Sequence, residues 1–504
     1  MTTEDNSTII RAGHVVEGFT AAGQPVIHED AGILIHDGSV ARIGPYADVV
    51  RDAPGVPVLG GAVQIVIPGL INAHHHVGTT PFQLGSPDHP LELWFASRLA
   101  LRDVDLRLDT LVSAFEMIAS GVTTVQHLHS RAPGNVDDVL AAGETVMEAY
   151  RTIGMRASYS MALRDQNRLV YEADEAFVAR LPSHLRPAMA DYFRRFTLPL
   201  ADQVSVFHAL RRRVDGDPLI AVQIAPANLH WLSDAALETA AELSATTGAP
   251  MHMHLVETPY QREYARRRSG GTAFRHIARL GLAGPRLTIG HGVWMSEDDI
   301  AACAASGTRI CHNCSSNFRL KSGVAPVGRF VAEGIPVALG IDEAGINDDR
   351  DMLQEMRLAL TVHRRPGLDT PSLSAAEVLR MATEHGAGTT PFGERIGRLT
   401  PGSAADLVIL DWPTVTRPYQ SPDMPLIDVL VRRARTDAVK TVMIGGEVVY
   451  RDGRFTRIDR ETVMTEIGER FARPLTEAET ERRKLARDVF PHVRDFYEGW
   501  FDGN

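Results

Sequence analysis

The sequence predicts an α/β protein: a (β/α)8 TIM-like barrel with a small β-sandwich domain built from both chain ends. Three observations predict it. Strand-like and helix-like segments alternate over residues 66 to 395. Hairpin signals flank this stretch, one around Asp37-Gly38 and one around Gly445-Gly446. Histidine, glutamate and aspartate fall where the central strands end, the face on which barrels build their sites. The chain has 504 residues, enough for a barrel of about 250 residues and a satellite. Residues 1 to 65 and 396 to 456 are assigned to the sandwich, 66 to 395 to the barrel and 457 to 504 to a C-terminal helical extension.

Taken in order, Ile33-Leu34-Ile35-His36, the turn Asp37-Gly38 and Val40-Ala41-Arg42-Ile43 form the first hairpin. Residues 62 to 67 read as a buried strand. Strand 122 to 125 precedes a helix near 136 to 152, and strand 219 to 224 precedes a helix at 233 to 247. Strand 250 to 255 leads to a helix over 259 to 280, strand 286 to 290 to 296 to 305, and strand 335 to 340 to 350 to 363. Strand 405 to 411 and the hairpin 442 to 450 return the chain to the sandwich. The charged segment 475 to 488 reads as a solvated terminal helix.

A hydrophobic content of 44% with 23% charged residues is ordinary for a globular protein. A net charge of −11 without a basic stripe argues against a nucleic-acid partner. No apolar run is long enough to span a bilayer, and the acidic start Met1 to Asn6 lacks the features of a secretory leader. Three cysteines make no disulfide scaffold, so a cytoplasmic location is expected. Cys311-His312-Asn313-Cys314 lies in an apparent barrel strand; with no second CxxC it is not taken as a zinc or redox motif.

His74 and His76 stand two apart after a strand-like run, so an extended chain points both imidazoles to one side and His75 to the other. Two imidazoles side by side at a strand end are half of a metal site. Three further strand ends carry His252-Met253-His254-Leu255-Val256-Glu257, His291-Gly292 and Gly340-Ile341-Asp342-Glu343.

These residues sit within longer signatures: Pro68-Gly69-Leu70-Ile71-Asn72-Ala73-His74-His75-His76, Gly121-Val122-Thr123-Thr124, His254-Leu255-Val256-Glu257-Thr258 and His291-Gly292-Val293-Trp294. Ser315-Ser316-Asn317-Phe318-Arg319-Leu320, Asn347-Asp348-Asp349-Arg350-Asp351-Met352 and Gly397-Arg398-Leu399 through Ala405-Asp406-Leu407 follow. In this order, over about residues 8 to 456, the chain resembles the amidohydrolase superfamily, in the branch of triazine hydrolases, S-adenosylhomocysteine deaminase and 8-oxoguanine deaminase.

The resemblance implies one divalent metal held by His74, His76, His254 and Asp342. Neutral imidazoles with a carboxylate suit Zn2+ at roughly 2.0–2.2 Å per ligand, with a position left for water. Fe2+ and Co2+ accept the same donors. A second metal in this superfamily uses a bridging carbamylated lysine on an earlier strand. The lysines here are Lys321, Lys440 and Lys484, and the equivalent strand offers Gln223, which favours one ion. Asp342 is expected to take a proton from the attacking water. Glu257 is expected to protonate a ring nitrogen and then the leaving group, and His291 to polarise or hold the attacked centre. Glu257 lies three residues after His254, so it must sit just past the strand end, where the chain turns over the site. His252 reads as a support for the ligands.

Trp94 either lines the substrate pocket or anchors a helix. His127, His129 and Glu343 are placed near the substrate, and two of them, His127 and Glu343, depart from the residues many relatives carry. Arg98 and Arg319 read as structural or solvated. The expected activity is that of a deaminase acting on a small nitrogen heterocycle of purine, pterin or triazine type. The same site serves two alternatives: displacement of halide or thiolate, or cleavage of an amide, carbamate or hydantoin. A non-catalytic metal-dependent binding protein is a third reading, disfavoured by the presence of Glu257. The partner is thus a small molecule, with neither nucleic acid nor membrane. Relatives suggest a homo-oligomer, a dimer or larger.

Overall fold

The computed structural model describes residues 7–500; the acidic start at 1–6 lies outside the described residues. The hairpin turns form as their composition requires. Asp37 and Gly38 have φ of 46° and 73°, and Gly445 and Gly446 have 57° and 81°, the paired positive values of a tight hairpin turn. Both hairpins belong to one eight-stranded sheet. Its order is Arg454–Phe455, Glu447–Arg451, Val439–Ile444, Leu407–Asp411, Val58–Pro68, Ser7–Phe19, Pro25–His36 and Ser39–Pro45. Leu407–Asp411 runs antiparallel to Val58–Pro68 and joins the two distant parts of the chain. Ile10 and Ile33 on one strand pair, and Leu407 and Met443 on another, share one apolar core although Val58–Pro68 lies between the two pairs in the sheet. The expected sandwich is therefore a single sheet curled over itself.

Eight parallel strand positions make the barrel: Leu70–His75, Val122–His129, Arg156–Leu163, Ile220–Val222 continued by Ala225–Pro226, Met251–Leu255, Leu287–His291, Arg309–His312 and Val337–Leu339. Three single bridges close it, Ile224 with Met251, Asn228 with His254 and His75 with Asp342. The Asp342 N–H donates to the His74 carbonyl at 2.8 Å, so the last strand is tied to the first at the site itself. The outer faces of the strands bury Val122, Val125, Ile289, Ile310, Val337 and Leu339 against the surrounding helices.

Local signals set the helices. Asn135 caps Val136–Ile153 with a reciprocal bond to Asp138, and Gly154, at φ 83°, ends it. The single helix expected over 259 to 280 is two, Pro259–Ser269 and Ala273–Arg279. Gly270 adopts φ 68° and stops the first, and Thr272 caps the second.

The terminal segment departs further from expectation. Of residues 475 to 488, those from Glu477 onward belong to the helix Glu477–Tyr497, which is not simply solvated. Leu485, Val489, Val493 and Tyr497 are buried with Ala96, Leu99 and Tyr171 beside the mouth of the barrel, and Glu479 is buried with them against Arg102. Among the described residues no helix is long and apolar enough to cross a membrane.

Candidate metal centre

The strand ends converge as the i, i+2 spacing requires. The Nε2 atoms of His74, His76 and His254 lie 3.1 Å from one another. Asp342 Oδ1 is 3.2 Å from His76 Nε2 and 3.6 Å from His74 Nε2. Close packing behind His74 demands two glycines. A Cβ on Gly340 would stand 2.5 Å from His74 Cβ, and one on Gly290 would stand 2.9 Å from its ring.

Carbonyls fix the ring orientations. His76 Nδ1 donates to Leu128 O at 2.6 Å and His254 Nδ1 to Ala227 O at 2.7 Å, so each Nε2 presents a lone pair to the same small space. His74 Nδ1 lies 2.8 Å from His252 Nε2, which puts His252 behind the triad and not within it. Burial holds His74 and His254 neutral, well below the ordinary imidazole value. At His76 burial also opposes charge, but the Asp342 carboxylate outweighs it and raises proton affinity. A proton there takes the place that a cation would fill. Three buried lone pairs facing one another are repulsive without positive charge between them. For Zn–N bonds of about 2.0–2.1 Å, tetrahedral donors stand about 3.3 Å apart, close to the spacing seen. The donor set therefore fits a divalent cation.

The remaining chemical groups surround this space. Asp342 and His291 adopt φ of 66° and 72°, left-handed conformations held at the strand ends. Val256, at φ 44°, reverses the chain between His254 and Glu257, and this brings Glu257 over the site despite its odd spacing. Burial raises the Glu257 carboxyl well above the usual range, with Asp342 and Glu92 adding to the effect. His291 Nδ1 is 3.7 Å from Glu257 and its Nε2 3.7 Å from Asp342. Burial opposes the charge on Asp342, yet hydrogen bonding to His76, with Ser316 donating at 2.6 Å, holds its carboxyl well below the usual range. His75 turns away, its ring 5.5 Å from that of His127.

The amidohydrolase family profile matches residues 65–449. The chain belongs to the amidohydrolase family. A relative from Syntrophobacter fumaroxidans (strain DSM 10017 / MPOB), named 5-methylthioadenosine/S-adenosylhomocysteine deaminase, is 30% identical over 441 residues, 86% of this chain and 91% of the relative. The crystal structure of an adenosine deaminase from Xanthomonas campestris with bound zinc is 23% identical, with a TM-score of 0.77 over 95% of this chain and 98% of that one. Atrazine chlorohydrolase from Arthrobacter aurescens TC1 complexed with zinc is 22% identical, with a TM-score of 0.78 over 92% of this chain and 99% of that one. The two structures share the fold.

In this amidohydrolase His76, His254 and Asp342 open into a cleft. Trp94 and Glu343 line it. Trp94 also packs with Leu91 and Leu320, so it both lines the cleft and anchors its helix. Arg98 stacks on Trp94 at 4.5 Å and pairs with Glu343 at 2.9 Å, leaving Glu343 Oε2 buried and unpartnered among the described residues. His127 and His129 line an adjoining cleft instead, bonded to the hydroxyls of Tyr150 and Tyr159 at 2.9 Å each. Arg319 is structural, held between Asp88 and Asp348.

Among the residues of the main cleft that escape the sequence reading are Arg131 and Arg164. Arg164 directly follows one barrel strand and Arg131 stands two residues past the end of another, the positional signal by which they are legible. Arg164 stacks on Trp231 at 3.9 Å and Arg131 on Phe196 at 4.6 Å. Asn317 and Asn313, which lie 2.9 and 3.2 Å from the two ring nitrogens of His291, fall within and just before the segment 315–320.

The helix Cys314–Arg319, which carries Ser316, is held from behind by Glu355, which accepts from the Ser315 N–H at 3.0 Å. Burial pushes the Glu355 carboxyl up to about 7, against the Ser315 bonds. A carboxyl raised in the folded state stabilises below its unfolded value, and that stability is lost as pH rises toward the folded one. Denaturant unfolding of Glu355→Gln is expected to be flatter over about pH 4.5–7, and the variant more stable above neutrality by about 2–3 kcal/mol at most.

Proposed function

We propose that the protein is a metal-dependent aminohydrolase that replaces the exocyclic amino group of a nitrogen heterocycle with oxygen and releases ammonia. The observation that carries this reading is the meeting of four donors with a buried carboxyl of raised proton affinity: His74, His76, His254 and Asp342 on one side, Glu257 on the other. His74, His76, His254 and Asp342 would hold one ion, Zn2+ in preference to Fe2+ or Co2+. When bound, such an ion lowers the pKa of water toward neutrality and orients it.

The chain's own groups carry the protons. Two leave the water; one ends on the ring nitrogen and one on the departing ammonia. Asp342, ionised, takes a proton at its carboxylate. Glu257, protonated by burial, gives one to the ring nitrogen. His291, set by Asn313 and Asn317, faces the attacked carbon and holds the oxygen that forms there.

Arg131 and Arg164 define the rest of the substrate. Neither has a carboxylate within salt-bridge distance among the described residues. Burial pushes Arg164 down to about 9, which leaves it charged at neutral pH. An unneutralised cation in a cleft calls for an anion, so the heterocycle carries an acidic substituent. The relative's name, which joins an adenosine thioether to one with an amino-acid tail, supports an adenine-type ring. Adenosines with neutral and acidic 5′ substituents, assayed beside chloro- and alkylthio-triazines, test the proposal. Ammonia from the adenosines is expected, with the acidic ones preferred. Halide or thiol release without ammonia would overturn it. Arg164→Gln is expected to raise KM for the acidic substrates about 10- to 100-fold with kcat little changed.

A further inference from the structure

A second group of metal donors stands outside the barrel interior, behind the seventh strand. Cys311 and Cys314 do not act together. Cys311 faces the interior with Ala73 and Ala338. His312, the next residue on the strand, points the opposite way. Its Nε2 lies 2.9 Å from that of His363, the residue that ends helix Met352–Val362. Cys314 completes the group, and one donor atom from each of the three residues lies within 4.8 Å of the others.

His312 and Cys314 are each 1% exposed, whereas His363 is half-buried and opens the group to solvent. Burial keeps both imidazoles neutral, His312 well below its ordinary value and His363 at about 4, so neither carries the second proton that would exclude a metal. A bond between the two imidazoles accounts for the 2.9 Å contact. It accounts neither for a thiol packed beside them nor for His312 Nδ1, which is buried without a partner among the described residues.

We propose that His312, Cys314 and His363 form a second metal site, for a thiophilic divalent cation such as Zn2+. Two imidazoles and a thiolate are donors that zinc takes, with a fourth position open to water. Binding displaces the proton of the Cys314 thiol, which leaves to solvent. The ion clips the end of the seventh strand to the helix that follows the eighth. The site shares no residue with His74, His76, His254 and Asp342, and it does not rest on the proposed activity.

Co2+ is the probe, titrated into the full chain as purified. The set His74, His76, His254 and Asp342 contains no sulfur, so thiolate-to-cobalt charge-transfer absorption in the near ultraviolet reports a cysteine ligand. The expected result is a saturable band that Zn2+ erases and that is absent in Cys314→Ser. In His363→Gln, a half-exposed change that tests the site should Cys314→Ser not fold, the Co2+ midpoint should rise by about tenfold or more. No band at saturating Co2+, a band surviving in Cys314→Ser, or an unchanged midpoint in His363→Gln would overturn the proposal.

Discussion

Glu257→Gln is expected to lower kcat by about 100- to 10,000-fold, the range for removing a positioned acid–base group. The amide keeps the volume of the side chain and can still accept from the Ser322 hydroxyl, which lies 3.3 Å from Glu257 Oε1. It cannot carry a proton between water and substrate. The fold and the metal content should therefore be unchanged, because Glu257 is not among the four donors. Steady-state ammonia release paired with metal analysis separates the two effects. Turnover within a few-fold of the parent enzyme would remove Glu257 from the proton path.

His254→Ala is expected to act one step earlier. With three Nε2 atoms at 3.1 Å, each imidazole is one corner of the set, and losing a corner leaves the ion with fewer donors. Metal affinity should fall by more than about 100-fold, the upper end for losing only a hydrogen-bond partner of a ligand, and activity should fall with it. His252→Ala is the comparison. It removes the group 2.8 Å from His74 Nδ1 without removing a donor, so a loss of about 10- to 100-fold in affinity is expected. Dialysis against a metal buffer, read by elemental analysis, ranks the two. If His252→Ala loses metal as completely as His254→Ala, the donor set is wrong.

The convergence of His74, His76, His254 and Asp342 is legible in the sequence because they obey local rules. His74 and His76 share a face through strand alternation, and Asp342 ends a strand that reads as buried. Glu257 was legible only through its odd spacing, and the left-handed Val256 is the physical form of the turn that spacing demanded. The strand Arg156–Leu163 was not legible. Its inward residues include Ser158 and Ser160, which break the apolar run by which buried strands are recognised. Arg164 follows that strand, so it was missed with it. The terminal helix Glu477–Tyr497 reads as solvated in the sequence because charge dominates its composition. Which face it buries depends on the surface it docks on, and a window of sequence does not contain that surface.

The central claim is a single place in space, and anomalous diffraction at the zinc edge from crystals of active, zinc-loaded protein reads it directly. The account predicts a peak at about 2.0–2.2 Å from Nε2 of His74, His76 and His254 and from an Asp342 oxygen. Fully active crystals with no peak among those four side chains would contradict it.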